Sequence, residues 1–516
     1  MGDISFNLID EAWIPCLMMT DEKKILGLRD VLCQAHQITG FDLQNPLEEA
    51  VLYRLLLALV HRVVDGPRNA GEWKSLYTAD SLDQTIVTEY LNSWHHRFDL
   101  FSKDAPFLQT AGLQVQDNEK KPLPLPITVI QLSKSSGNNK TLFDHSCDET
   151  IVPLSAVESI WALLVAQGYL LGGLNKKTTN YFGHQASFLH GSMVTGLFCL
   201  LQGRNLYQTL MLNLLVTTRS DPVPASDEDG PVWERDDREG TIARPPRGYL
   251  DYLTCKSRHI RLVPEVNSEG DAVVSTVHMA QGESFQLARN PFGIFKKNKK
   301  DELIPIQLDM DRALWRDSAA LFAFNPDADE RPKAFRQVGN ALAKRFVAMP
   351  DRHRCVVYGL ANDKANPLAW RKEVLHIPTE LLSEKEVVER LRFGIGLVEK
   401  GGEIVEYAAK RYVRNCLPEN SREADVQAGV LASGVMALYW SRVENPYREF
   451  MEKVDRGDET LVWLKEHIKR CARAAFENCF EQRFASSGKT YRAWVHGRGT
   501  LEGGLAKQLG TEGGNK

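Results

Sequence analysis

Pro378-Thr379-Glu380-Leu381-Leu382-Ser383-Glu384-Lys385-Glu386 separates two kinds of pattern in this chain. Ser383 and Glu386 have the spacing of a capping box, in which a hydroxyl and a carboxylate satisfy each other's helix-start N–H groups. Downstream of that point the apolar series keep helical spacing. Met436, Trp440, Val443, Tyr447, Phe450 and Val454 advance in steps of three or four, with Pro446 expected to kink or restart the helix. Leu461, Leu464, Ile468, Cys471 and Ala475 do the same. Four such segments across roughly 380–506 predict a helical bundle.

Upstream the pattern is mixed. FNLIDEAWIP (6–15) alternates as an opening strand should. Asn45-Pro46 starts a helix: Asn caps, Pro suits the first helical position, and Glu48 and Glu49 favour the positive end of the dipole. Its apolar face is Leu52, Leu55, Leu56, Leu59 and Val63. Asp104 to Gln109 read as a loop with a buried aromatic, and 113–140 as a polar excursion. Val157 to Leu171 predict a buried helix, 192–203 another, and Asn205 to Val216 are apolar; 217–242 read as a solvated loop. Short strands dominate to about 308, with a basic hairpin-like run at Lys296-Lys297-Asn298-Lys299-Lys300. Asp311 is expected to open a helix through Trp315 and Leu321. The expected class is α+β: a large mixed α/β domain over 1–374, a four-helix bundle over 375–509, and a disordered tail over 510–516.

A chain of 516 residues with 43% hydrophobic and 25% charged content reads as a globular protein of several domains. No apolar run reaches the length of a membrane span, and Met1 to Phe6 lack a signal-peptide pattern, so a cytoplasmic location is expected. The nine cysteines are odd in number and scattered, which predicts reduced thiols. Cys471 and Cys479 read as core residues. The net charge is −4, from 63 basic and 67 acidic residues. Freestanding nucleic-acid binders carry a basic excess. Nucleic-acid contact here therefore needs local patches, or a partner that neutralises most of the phosphates.

The chemistry of an active site is missing. Gly488-Lys489-Thr490 imitates the end of a phosphate loop, but Arg483 stands where the first glycine is required. No zincin, nucleophile-elbow or paired Cys/His spacing occurs, so neither catalytic residues nor a metal or cofactor is expected. Asp309 and Asp311 have the proximity that acid–base chemistry needs, or else one caps the following helix. The run 296–300, with Arg244, Arg247, Lys256, Arg258 and Arg261, reads either as solvated charge or as phosphate contacts, which position without specifying.

Two polar, glycine-marked stretches look like recognition elements. One is Thr178-Thr179-Asn180-Tyr181-Phe182-Gly183-His184-Gln185, just after Lys176-Lys177. The other is Tyr358-Gly359-Leu360-Ala361-Asn362-Asp363-Lys364-Ala365-Asn366-Pro367.

In order along the chain, FNLIDEAWIP, DAPFLQT (104–110), TLFDHS (141–146), the 180–184 loop, QGRNLYQTLMLNLL (202–215), MDRALWRD (310–317) and YGLANDKANPLAWRKEV (358–374) resemble the CasA family, the large subunit of the type I-E CRISPR Cascade complex. The resemblance spans nearly the whole chain. It implies a non-enzymatic subunit of an RNA-guided antiviral complex. Such a subunit recognises the protospacer-adjacent motif (PAM) in double-stranded DNA, promotes duplex opening and R-loop formation, and recruits an effector helicase–nuclease. Base pairing to the guide reads the sequence, while protein reads only the short flanking motif.

By that resemblance Asn180, Tyr181, Phe182, Gly183 and His184 form the loop that lies in the DNA minor groove. Gly183 lets backbone approach base edges, in a groove whose readout is degenerate. Asn362, Asp363, Lys364 and Ala365 match the wedge that parts the first base pair, with Lys364 where the family often has glutamine. Gln281 stands nearest a minor-groove lysine of the family. Phe143, Asp144 and His145 match a loop that contacts the guide RNA 5′ handle and the subunit holding it. The bundle would pack on the small helical subunits, with Lys410, Arg411, Arg414, Lys469, Arg470 and Arg473 along the displaced strand. The implied partners are guide RNA, target DNA, the backbone, handle-holding and small Cascade subunits, and the nuclease, with no membrane. The Cys-rich knuckle that some members carry near 265 is absent from this sequence, so no structural zinc is expected. The alternatives are a scaffold of a related defence complex without DNA discrimination, and a metal-dependent hydrolase built on Asp309 or Asp311.

Overall fold

The computed structural model describes residues 4–116, 119, 121–133, 152–174, 187–219, 221–235, 244–285, 289–322, 331–484 and 487–510. Two compact units emerge. One holds Met1–Leu314, Asn325–Ala348 and Arg354–Val374; the other holds Trp315–Phe324, Met349–His353 and Leu375–Lys516. The class is α+β, with helices at the C-terminal end, as expected.

In the first unit the helix Pro46–Val63 begins as the sequence dictates: the Asn45 side chain accepts from the Leu47 N–H, and Glu48 and Glu49 fill the first turn. It is buried on almost every side, not on one face alone. Its buried polar groups are therefore held: Glu49 accepts from Lys372 Nζ at 2.6 and 2.8 Å. The helix Ala156–Tyr169 starts in a true capping box, Ser155 with Glu158, and its apolar length is interior. Phe107 is buried in its loop.

Several expectations give way to tertiary context. Residues 198–202 form a strand, Phe198–Gln202, where a helix is expected over 192–203. Four consecutive apolar residues there are buried on both faces, a pattern that periodicity cannot separate from a helix. The strand pairs antiparallel with Arg352–Asp363, Phe198 opposite Tyr358. The opening strand starts only at Ile14, because the Asn7 side chain accepts from the Ile9 N–H and turns the chain first. Within the expected excursion 113–140, Leu113 and Val115 are buried and Leu125–Pro126 pairs with the strand Ala272–Gln281. Within the expected solvated loop 217–242, Trp233 is buried and Glu234 accepts from Arg62 and the Tyr90 hydroxyl.

The second unit is built on the helices Lys385–Cys416, Glu423–Ser433, Val435–Glu452, Glu459–Phe484 and Gly488–Leu509. Ser383 does not form the expected capping box. It ends a short helix, Glu380–Ser383, whose Leu381 and Leu382 are drawn into the core, and Glu384 takes the next N-cap position without a side-chain bond. Pro446 lies inside one continuous helix. Its missing N–H leaves the Arg442 carbonyl without a helical donor, and the Cys471 thiol donates there at 3.4 Å. Cys471 and Cys479 are only half-buried. Among the described residues no helix is long and apolar enough to cross a membrane.

Candidate nucleic-acid interface

Residues 180–184 and 143–145 lie outside the described residues, but both ends of the first loop are described. Gly173–Leu174 pairs antiparallel with Ser187–Phe188, Gly173 opposite Phe188, and so forms a stem from the two segments that flank residues 175–186 in sequence. The chain closes tightly below it. The Gly172 N–H donates to His190 Nδ1 at 3.1 Å, and a Cβ at Gly172 would stand 2.7 Å from the Phe188 carbonyl oxygen. Only glycine allows that approach. Accepting at Nδ1 requires a neutral His190; burial and the nearby Arg258 both lower its pKa.

The second stretch is the tip of a long hairpin, Arg352–Asp363 followed by Asn366–Pro378, turning at Lys364-Ala365. Lys364 takes a left-handed backbone conformation, φ 53°. The Asn362 side-chain amide donates to the Lys364 carbonyl at 2.8 Å and fixes the turn. Asp363 and Lys364 are exposed, while Asn362 and Ala365 are half-buried. The outer strand is strapped down behind them. Glu373 accepts from the Leu314 N–H at 3.1 Å, and Arg371 donates to the Met310 carbonyl at 3.2 Å. Leu368 is 54% exposed close to the tip.

Stem and tip adjoin. A Cβ built on Gly173 would stand 3.3 Å from Ala365 Cβ. The stem that flanks the first stretch and the tip of the second, nearly two hundred residues apart in sequence, thus lie side by side in the first unit.

Residues 7–481 match the family described as CRISPR-associated protein Cse1. The chain belongs to the Cse1 family. The CasA/Cse1 protein of Thermus thermophilus is 29% identical over 534 aligned positions, covering 99% of this chain and 100% of that one. The crystal structure of Thermus thermophilus CasA superposes with a TM-score of 0.81 at 25% identity, covering 98% and 100%. A chain of a CRISPR RNA-guided surveillance complex gives 0.77 at 20% identity, covering 96% and 99%, a likeness of fold. The expected CasA family, the large subunit of type I-E Cascade, is met.

The other residues matched to Cse1 elements are placed less simply. Gln281, expected to read base edges, is 1% exposed. Its Oε1 accepts from the Leu189 N–H at 2.8 Å, and its Nε2 donates to the Ser257 and Gly282 carbonyls. Its hydrogen-bonding groups are turned inward. Of the basic residues weighed as phosphate contacts, four are also turned inward. Arg244 is clamped by Asp251 and Glu283, Lys256 and Arg258 are buried, and Arg261 donates to the Leu113 carbonyl; Arg247 is exposed. The run 296–300 does form a hairpin, Phe295–Lys297 with Leu303–Pro305, whose turn is closed by the Asn298 side chain. Lys296, Lys299 and Lys300 are exposed on it.

Asp309 does not cap a helix. Its carboxylate accepts from the Asp311 N–H at 2.8 Å, the next helical turn begins only at Leu314, and both carboxylates are exposed. Among the described residues no group of three His, Cys, Asp or Glu could hold a metal. Gly488 simply begins a helix capped by Ser487, and Lys489 donates to the Leu417 carbonyl at 3.1 Å. On the bundle Lys410, Arg414, Lys469 and Arg473 are paired with Glu406, Glu423, Glu466 and Glu502. Such pairs at the surface contribute little to stability.

Proposed function

We propose that this Cse1-family chain is a non-enzymatic subunit of an RNA-guided surveillance complex. In that role it recognises the PAM from the minor groove and starts duplex opening beside it. The observation that carries this reading is the contact between stem and hairpin tip at Gly173 and Ala365. A reader and a wedge must act on neighbouring base pairs, about 3.4 Å apart along the duplex, and elements rooted side by side satisfy that condition. Gly183 lets the backbone of the loop press against base edges, flanked by Asn180, Tyr181, Phe182 and His184. At the tip Asn362 sets the turn, Ala365 supports it, and Lys364 enters beneath the motif with Asp363 beside it. Unstacking one step costs a few kcal/mol, offset by protein contacts and the guide–target heteroduplex.

Phe143, Asp144 and His145 contact the guide RNA 5′ handle, where an aromatic ring can stack and an imidazole can bond a 2′-hydroxyl. The bundle packs on the small subunits, and the assembled complex recruits the helicase–nuclease. The net charge of −4 suits a subunit whose partners share the phosphate neutralisation. Gly183→Trp tests the reading: a motif reader loses duplex capture while the complex still assembles. Full duplex capture by that variant would leave the chain a scaffold.

A further inference from the structure

Arg258 and Gln281 stand directly opposite each other on the antiparallel strands Arg258–Val266 and Ala272–Gln281. Their side chains take both main-chain groups of a single residue. Gln281 Oε1 accepts from the Leu189 N–H, and the Arg258 guanidinium donates to the Leu189 carbonyl. The same guanidinium donates to the Leu171 carbonyl at 3.1 Å and to the Ser257 carbonyl at 2.8 Å, and lies 5.1 Å from the centre of the Phe188 ring. Leu171 precedes the stem and Leu189 follows it, so one buried side chain ties its two ends together.

Arg258 is 1% exposed and, among the described residues, faces carbonyls and a ring where a carboxylate would ordinarily balance it. Burial pushes its pKa down to about 9, which leaves it cationic at neutral pH. A buried cation with neutral acceptors alone is costly. Arginine suits this place because its rigid fork presents several donors at fixed angles, which neither lysine nor an apolar residue reproduces.

We propose that Arg258 and Gln281 are positioning residues that hold the stem beside Lys364-Ala365, so that loop and wedge engage the same duplex in register. The proposal rests on the DNA reading given above. It assigns Gln281 to Leu189 and not to base edges. Freed from the clamp, the stem can shift away from Ala365, and loop and wedge then lose their common register.

The test uses guide-loaded complex assembled with the full chain carrying Arg258→Met, Gln281→Met or Arg258→Lys. Amide hydrogen exchange over 171–174 and 187–191 is read without DNA. Capture is then read on duplexes that differ only in the flank. Arg258→Met and Gln281→Met should each speed exchange of the Leu189 amide by about tenfold. Each should also lower the ratio of matched to mismatched capture on the order of tenfold, with guide loading intact. Arg258→Lys, which keeps a donor for Leu189, should recover part of both effects. Unchanged exchange at Leu189 overturns the clamp, whatever capture does. Faster exchange with undiminished discrimination overturns its positioning role. Absence of flank preference in the unaltered complex defeats the DNA reading, and the exchange result still decides the clamp.

Discussion

A methyl group built on Gly173 would stand 3.3 Å from the Cβ of Ala365, closer than side chains ordinarily pack. Glycine lets the loop stem and the hairpin tip lie against each other. Gly173→Val should force them apart by a few tenths of an ångström or more. Duplex opening, followed by a fluorescent base next to the motif, should slow about tenfold, as small displacements in positioned sites do. A duplex already unpaired beside the motif should be captured normally. Equal loss on both substrates would mean that the substitution damages something other than opening.

Lys364 holds a left-handed φ of 53° that costs a residue with a side chain about 1–2 kcal/mol. Lys364→Gly should therefore stabilise the first unit by ~0.5 kcal/mol, after the extra chain entropy of glycine is subtracted. It should also slow duplex opening, because the turn survives and the cation is gone. Thermal melting and strand separation on the same preparation check the two halves. Lys364→Val should lower both.

Asp251 is fully buried and accepts from Arg244 at 2.6 and 2.9 Å, from Arg235 at 2.7 Å, and from the Arg247 N–H at 2.7 Å. Burial alone would raise its carboxyl, but Arg244 and Arg235 hold it below the usual carboxylate range. Asp251→Asn leaves buried guanidinium groups short of countercharge. It should destabilise the first unit by ~3–5 kcal/mol in urea unfolding.

Acid should weaken both units. Burial pushes His61 and His353 down to about 4 and His259 to about 3. The unfolded imidazole titrates near 6.5. Below that pH the unfolded chain takes up protons that the folded chain refuses, so this stability is full above about 6.5 and lost as pH falls towards 4 and 3. Each unit of depression is worth about 1.4 kcal/mol at most. Urea midpoints measured from pH 7.5 to 5 should fall, and His61→Phe should flatten the fall for the first unit.

What could be read from the sequence was local chemistry. Asn45-Pro46 announces its helix because the cap and the proline act within one turn. The stretch around Asn362 to Ala365 stood out because amide, charged and small residues cluster there behind a glycine. What could not be read depends on neighbours. Phe198 to Leu201 form a strand only because a partner strand covers them, and Ser383 loses its capping role to the burial of Leu381 and Leu382. Gln281 and Arg258 look like surface readers in sequence, since nothing local reveals that Leu189 lies over both. The bridge between Gly173 and Ala365 spans a separation that no pattern in one sequence encodes.

The most direct test of the central claim is target-duplex capture by guide-loaded complex, with and without this chain, at one fixed salt concentration. The duplexes should be identical except for the few base pairs beside the target. The account predicts that the chain confers a preference for one flank, and that Gly183→Trp or Lys364→Ala removes it. Capture that is the same on every flank, with the chain present and the complex fully assembled, would contradict it.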